Sequence, residues 1–278
     1  MNCLRKCSLQ SYFEKGIEFG VEGEHDKAID CFSRVIELNL HMTEAYYNRG
    51  TAYGESRQYQ KAIQDFSKAI ELNPNNVDAY TNRGTAYSDL GQYEKAIDDY
   101  TKAIQLDPDY SDAYFNRGNT YGQLGQYDKV IGDYTKGIGL KPDNAKAYLG
   151  RGFAYGAIEQ YDKVIDDFTK AIELDPEYAD AYYYRASVYL ILGQYESVID
   201  DYTKVIELNP DYPDAYFYRG SAYLLLEQYD RIHYLFYFLI QQISLICIHS
   251  QFLCDEQLLQ LLCCQKLENE WILFQIPI

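Results

Sequence analysis

The sequence predicts an all-α fold, a solenoid of about seven helix–turn–helix units, and three observations support this. A core of the form AY-x-x-RG or AY-x-x-RA recurs every 34 residues, beginning at Ala45, Ala79, Ala113, Ala147, Ala181 and Ala215. Each unit contains two segments in which small and apolar residues recur at three- and four-residue steps, the spacing of one helix face. Prolines follow the second segments in step, at Pro74, Pro108, Pro142, Pro176 and Pro210. Such units bury their apolar faces only against neighbours, so they stack into an elongated array.

The unit from Ala79 to Pro108 shows how each hairpin is predicted to begin and end. Its first helical pattern extends to Leu90, and its second begins at Tyr93. Gly91 lies between them, and glycine readily adopts the left-handed conformation that ends a helix. The second helix ends before Pro108, because the residue preceding a proline is displaced from the α region. The equivalents of Tyr93, predicted to open the other second helices, are Tyr59, Tyr127, Tyr161, Tyr195 and Tyr229.

A small residue recurs inside the first helix of each unit and predicts close helix packing. Glycine in a helix interior costs about 1 kcal/mol relative to alanine, so its recurrence indicates that another helix approaches there. Aromatic residues at 66, 100, 134, 168 and 202 are expected to fill the adjoining space. The small residues are Gly50, Gly84, Gly118, Gly152, Ala186 and Gly220.

This pattern resembles the tetratricopeptide repeat (TPR) superfamily, in the sub-type with an N-R-G-x-A-Y core, as in Asn82–Tyr87. The resemblance covers about residues 9–246, with repeats starting at 9, 43, 77, 111, 145, 179 and 213, the first and last degenerate. It implies a right-handed superhelix whose first helices line a concave, ligand-binding groove. Residues 1–8 are expected to form a lead-in. The apolar, Cys- and Leu-rich tail 247–278 is expected to supply irregular capping helices.

Charge and cysteine usage narrow the functional classes. The net charge is −17, of which −12 falls within 43–246. Nucleic acid requires a basic track, so this acidity argues against it and favours a basic or amphipathic protein partner. The N-terminal residues lack the apolar run of a signal peptide, and seven cysteines without a framework spacing fit reduced thiols. We therefore expect a cytoplasmic protein.

No catalytic or cofactor motif stands out. The recurrent glycines lie inside predicted helices and do not follow strands, which argues against a phosphate-binding loop. Adjacent acids such as Asp98 and Asp99 point about 100° apart on a helix, which suits a solvated face better than a catalytic pair. The cysteines and histidines lack the paired spacing of a structural zinc site. The sequence therefore predicts a protein that is not an enzyme and that binds no metal or cofactor.

Two columns of opposite charge recur with the repeat. An arginine and an aspartate in phase predict an internal structural ladder, each arginine pairing with the aspartate of its own hairpin. The alternative left open is that the arginines face the groove and hold carboxylates of a ligand. The ladder residues are Arg49, Arg83, Arg117, Arg151, Arg185 and Arg219, with Asp65, Asp99, Asp133, Asp167 and Asp201.

The predicted groove is polar and acidic towards its N-terminal end and apolar towards its C-terminal end. Lys146 is its single lysine, which disfavours binding of chaperone C-terminal tails, since the carboxylate clamp of the superfamily uses several basic residues. The candidate groove residues are Tyr47, Asn48, Thr51, Asp78, Asn82, Thr85, Asp112, Phe115, Asn116, Asn119, Lys146, Phe153, Tyr183, Tyr184, Phe217 and Tyr218.

The function expected from these features is non-enzymatic binding of a peptide or protein segment, as an adaptor or scaffold. The alternative is a membrane-tethered assembly factor anchored through 232–254, a segment without a charged residue. Polar residues within that segment, such as Gln241 and Gln242, make a membrane span the less favoured interpretation. The sequence leaves open whether 231–278 is a cap, a ligand of the groove, a membrane anchor or a gene-model artefact.

Overall fold

The computed structural model describes residues 2–229 and 231, with side chains from Leu9 onward. This part of the chain is all α-helical and contains no strand. Twelve helices form six hairpins: α1 Asn2–Val21, α2 His25–Leu38, α3 Thr43–Glu55, α4 Tyr59–Leu72, α5 Val77–Asp89, α6 Tyr93–Leu106, α7 Ser111–Gln123, α8 Tyr127–Leu140, α9 Ala145–Ala157, α10 Tyr161–Leu174, α11 Ala179–Ile191 and α12 Tyr195–Leu208. A further helical stretch, α13, runs over 213–229.

The turn inside each of the six hairpins uses a left-handed residue, as the sequence predicts. Gly91 has φ 73°, and Gly23, Gly125 and Gly193 take similar values. Arg57 and Glu159 occupy the same slot in their hairpins and also have positive φ, 58° and 60°. The turn is therefore set by its place in the repeat, and glycine only lowers its conformational cost.

The helices pack in the order expected of a solenoid. The two helices of one hairpin contact each other most closely, and each second helix then packs on the first helix of the following hairpin. Successive first helices from α1 to α9 also contact one another, whereas successive second helices show no comparable packing. The first helices therefore lie on the inside of the curve, as the TPR resemblance implies.

The core of each hairpin is an aromatic ring resting on a helix that lacks a side chain there. A Cβ atom added to Gly50, Gly84 or Gly118 would lie 2.8–2.9 Å from the ring of Phe66, Tyr100 or Tyr134. Such a distance is too short for a real contact, so the glycines permit the close approach that the sequence predicts. The residue expected to pack on Gly220, 16 positions further along the chain, lies outside the described residues.

The ends of the chain depart from the regular pattern. Residues 2–8, expected as a lead-in, are part of α1. Tyr229 was expected to open the second helix of repeat seven, but α13 is continuous through it. The slot of the left-handed turn residue holds Glu227, which is helical, so no turn forms there. Contacts divide the chain into two units, Met1–Ala215 and Tyr216–Ile278.

The predictions for the C-terminal tail lie outside the described residues. These are the second half of repeat seven, the anchor segment 232–254 and the capping tail 247–278. Among the helices that the structure describes, none is both long and apolar enough to cross a membrane.

Candidate peptide-binding groove

The groove is the surface that the first helices present on the inside of the curve. We call the part on α3, α5 and α7 the polar half, and the part on α9 and α11 the aromatic half. Seven of the predicted groove residues on these helices are exposed: Asp78, Thr85, Asp112, Asn119, Lys146, Phe153 and Tyr184. Half-buried ones are Tyr47, Asn48, Thr51, Asn82, Asn116 and Tyr183. The two remaining candidates belong to the second unit, in which Phe217 is exposed and Tyr218 is half-buried.

The arginines of the recurrent column lie within the solenoid wall. Arg117 Nε donates to Asp133 Oδ2 at 2.8 Å, and its Nη2 donates to Asp133 Oδ1 at 2.7 Å. This two-pronged geometry matches the planar guanidinium to the carboxylate. The aspartates are buried, and the hydrogen bond with Asp133 raises the pKa of Arg117 above its ordinary value. The same pair recurs in five hairpins: Arg49–Asp65, Arg83–Asp99, Arg117–Asp133, Arg151–Asp167 and Arg185–Asp201.

Each of these arginines also reaches back to the preceding hairpin. Arg117 Nη1 donates to Thr101 Oγ1 at 2.9 Å, across a sequence distance of 16 residues. The aspartate lies the same distance ahead in the chain, so one guanidinium joins two consecutive hairpins. The accepting hydroxyls, which the sequence analysis did not single out, belong to Ser33, Ser67, Thr101, Thr135 and Thr169.

Tyrosine rings complete the surroundings of the guanidinium groups. Arg185 lies 5.7 Å from the ring centroids of both Tyr182 and Tyr189, one turn before and after it. At this distance a guanidinium is attracted to the ring quadrupole. The recurrent spacing AY-x-x-R-x-x-x-Y therefore places a tyrosine ring one turn before and one turn after each arginine. With Asp201 and Thr169 also bound, the Arg185 guanidinium has few donors left for a ligand.

The polar half is cross-linked by hydrogen bonds between neighbouring hairpins. Asn82 Nδ2 donates to the Tyr47 hydroxyl at 3.0 Å. The Tyr110 hydroxyl donates to Asp78 Oδ1 at 2.8 Å. Burial, followed by the hydrogen bond to Asp78, raises the pKa of Tyr110. The polar half therefore satisfies part of its own hydrogen-bonding capacity.

The aromatic half presents aromatic rings instead. Phe153 and Tyr184, from adjacent first helices, meet in a T-shaped arrangement with centroids 4.7 Å apart. Tyr183 stands edge-on to Tyr184 at 5.4 Å and packs on Tyr212 at 5.1 Å. Phe153 remains 44% exposed and Tyr184 38%, so both side chains keep solvent-accessible surface.

Phe115 was predicted in the groove but is turned into its own hairpin. Only 8% of it is exposed, and its ring lies 5.6 Å from that of Tyr134. Gly137 makes room for it, because an added Cβ there would overlap the Phe115 ring. This burial leaves Phe115 little surface with which to contact a ligand.

Among the described residues, no group of three or more His, Cys, Asp or Glu side chains is placed to hold a metal ion. Cys31 is a half-buried free thiol whose pKa is raised by burial. The groove is therefore the surface of the described residues that best fits a binding site.

Fold and groove together define a helical-hairpin repeat protein. Models described as "Tetratricopeptide repeat" match 43–76, 111–144, 145–178 and 179–212, and also 66–98 and 201–234. A model described as "TPR repeat" matches 84–125. The chain belongs to the tetratricopeptide repeat family, whose members are generally protein-interaction modules. No curated protein matches the sequence.

Solved structures share the fold. A structure of MamA is 30% identical with a TM-score of 0.55, and the match covers 59% of this chain and 96% of that one. YrrB, described as a TPR protein with an unusual peptide-binding site, is 23% identical with a TM-score of 0.57, covering 68% and 97%. A tetratricopeptide repeat protein from Parabacteroides merdae is 23% identical with a TM-score of 0.63, covering 92% and 97%.

Proposed function

We propose that the chain is a non-catalytic adaptor or scaffold that binds an extended segment of a partner protein in the groove. The observation that carries this proposal is the contrast between the wall and the lining of the solenoid. Five arginines and five aspartates form ion pairs with each other within the wall. The lining, in contrast, exposes side chains that differ from hairpin to hairpin. Variation on an exposed, ordered surface suits recognition of one particular partner.

The chemistry of the groove supports a partner that is not an acidic tail. The exposed first-turn position of the first helices carries an acid in four hairpins, Glu44, Asp78, Asp112 and Asp180, and a lysine, Lys146, in one. The arginines that could have held carboxylates are bound to aspartates instead. A basic or amphipathic segment is therefore favoured over a chaperone C-terminal tail. We place the protein in the cytoplasm on the sequence grounds given above.

Site-specific photo-crosslinking in the native cell tests this proposal. p-Benzoylphenylalanine would replace Asn119 in the polar half or Tyr184 in the aromatic half, with Asp98, exposed on the second helix α6, as the matched control. We expect the two groove positions to crosslink to the same partner and the control to give no such product. Crosslinking from Asp98 alone would move the binding surface to the outer face and contradict the proposal.

A further inference from the structure

The aromatic half contains a cluster whose chemistry points to one class of side chain. Phe153 and Tyr184 are partly exposed and contact each other on neighbouring first helices. Tyr183 contacts Tyr184 edge-on at 5.4 Å and is itself packed on Tyr212 at 5.1 Å, which supports the Tyr184 side of the cluster. Exposed aromatic clusters of this kind mark binding surfaces more often than they serve folding.

Carboxylates border this cluster. Asp180 opens α11 and is exposed, four residues before Tyr184 and therefore on the same helix face. Burial, then the charges of Asp180 and Asp214, raise the pKa of Tyr212, which places both carboxylates near that hydroxyl. The rings thus lie beside a region of negative charge.

Comparison with the polar half shows that Asp180 is available. Asp78 holds the same repeat position and accepts a hydrogen bond from Tyr110 at 2.8 Å. Asp180 takes part in no ion pair and accepts no side-chain hydrogen bond from the described residues. Within the described part of the chain, its carboxylate oxygens therefore remain able to accept hydrogen bonds from a ligand.

The one basic groove residue nearby does not cancel this charge. Lys146 lies on α9, two turns before Phe153, and borders a surface pocket together with Asp143, Asp175 and Glu177. Lys141 lines the same pocket, so three carboxylates there face two ammonium groups and leave a small excess of negative charge. Among the described residues, no lysine or arginine lies over the ring of Phe153 or Tyr184.

We propose that Phe153, Tyr184 and Asp180 form a subsite for an arginine or lysine side chain of the bound segment. The cation would lie against a ring face while Asp180 accepts its hydrogen bonds, a combination that favours arginine because its planar guanidinium both stacks and donates. Ile191, two turns after Tyr184 on α11, is 63% exposed and suits an apolar neighbour of that basic residue. The ligand is thus a basic, amphipathic peptide. This assignment rests on the proposed groove-binding function.

Fluorescent peptide pools test the subsite with the full-length protein. Each pool is a nonapeptide mixture with random flanks and a fixed central arginine, citrulline, leucine or glutamate. Citrulline keeps the shape of arginine without its charge. By fluorescence polarisation we expect the arginine pool to bind about tenfold more tightly than the citrulline pool. The glutamate pool is expected to bind most weakly.

Variants locate the effect. Asp180→Asn and Tyr184→Leu should each reduce the preference for arginine over citrulline several-fold, with unchanged helical circular dichroism. Asp98→Asn, an exposed carboxylate on the second helix α6 and outside the groove, is the control and should leave the preference unchanged. Equal loss in Asp98→Asn would mean diffuse attraction to an acidic protein and would overturn the subsite.

The two proposals fail in different ways. Equal binding of the arginine and citrulline pools overturns the cation subsite, while crosslinks from Asn119 and Tyr184 would still support groove binding. Absence of binding by every pool, together with absence of crosslinks from the groove, overturns both.

Discussion

The polar and aromatic halves of the groove stand on the same wall but differ in almost every lining residue. Arg83–Asp99 in the polar half and Arg151–Asp167 in the aromatic half have the same two-pronged geometry. At one lining position, by contrast, the chain carries Asn48, Asn82, Asn116, Gly150 and Tyr184 in turn. The residues that build the solenoid and those that would recognise a partner are thus in separate columns of the repeat.

The largest expected effect comes from the wall, and it should be equal in the two halves. Asp99→Ala and Asp167→Ala each leave a partly buried guanidinium without its carboxylate, at a cost of about 1–3 kcal/mol in the free energy of unfolding. Urea denaturation of each variant measures this cost. Arg117→Leu should cost at least as much, because it leaves the buried Asp133 carboxylate without its partner, whereas replacing both partners by leucine should be nearer neutral. If Arg117→Leu retains stability but abolishes partner binding, the ladder belongs to the binding site.

The next largest effect on stability is expected at alkaline pH, through tyrosines that are buried in the wall. Burial raises the pKa of Tyr100 and of Tyr134 to about 12, above the ordinary value of 10. Since the folded state holds these protons more tightly, their contribution is complete below pH 10 and is lost as pH rises towards 12. We expect each to weaken stability by about 1 kcal/mol at pH 11.

Thermal unfolding followed by circular dichroism from pH 8 to 11 measures this alkaline loss. The double variant Tyr100→Phe, Tyr134→Phe should flatten the profile. In the aromatic half the equivalent position carries Phe168 in the hairpin of α9 and α10, which has no such proton to lose, and Tyr202 in the hairpin of α11 and α12. An unchanged profile in the double variant would assign the alkaline loss to other groups.

A smaller effect is expected from the hydrogen bonds that cross the polar half. Tyr110→Phe removes the donor to Asp78 and should cost about 0.5–1 kcal/mol. Tyr212→Phe, three repeats later in the aromatic half, serves as control and should cost less. Chemical denaturation of the pair decides this point, and equal losses would show that the cross-hairpin bond does not distinguish the halves.

The smallest effect should come from the exposed apolar surface of the aromatic half. Ile191→Ser should change stability by no more than about 0.5 kcal/mol, because the side chain is 63% exposed. Val188→Ser, buried on the same helix, should cost clearly more. A large loss of stability in Ile191→Ser would indicate that this surface is already covered within the protein and does not await a partner.

Most of the fold can be predicted from the sequence, because the same pattern of helix and turn residues recurs every 34 residues. The five tyrosines that open second helices, from Tyr59 to Tyr195, are placed correctly, since each lies just after a left-handed turn residue. Tyr229 is misplaced because the turn residue expected two positions before it, Glu227, is helical.

The groove is less predictable for physical reasons. The recurrence of an arginine and an aspartate 16 residues apart predicts a pair within one hairpin, and the two side chains are found hydrogen-bonded. The hydroxyl of Thr101, which accepts a hydrogen bond from Arg117, lies in the preceding hairpin. A pattern considered one hairpin at a time does not predict this contact. The burial of Phe115 depends on Gly137, so its direction follows from packing across the hairpin.

The backward reach of the arginines has a consequence for synthesis on the ribosome. The hydroxyl that Arg117 binds belongs to residue 101, which has already left the ribosome when residue 117 emerges, and its aspartate follows 16 residues later. Every new hairpin therefore docks on a finished one and needs nothing further downstream. Because translation is slow compared with the folding of a helical hairpin, we expect the array to fold in chain order, one hairpin behind the ribosome.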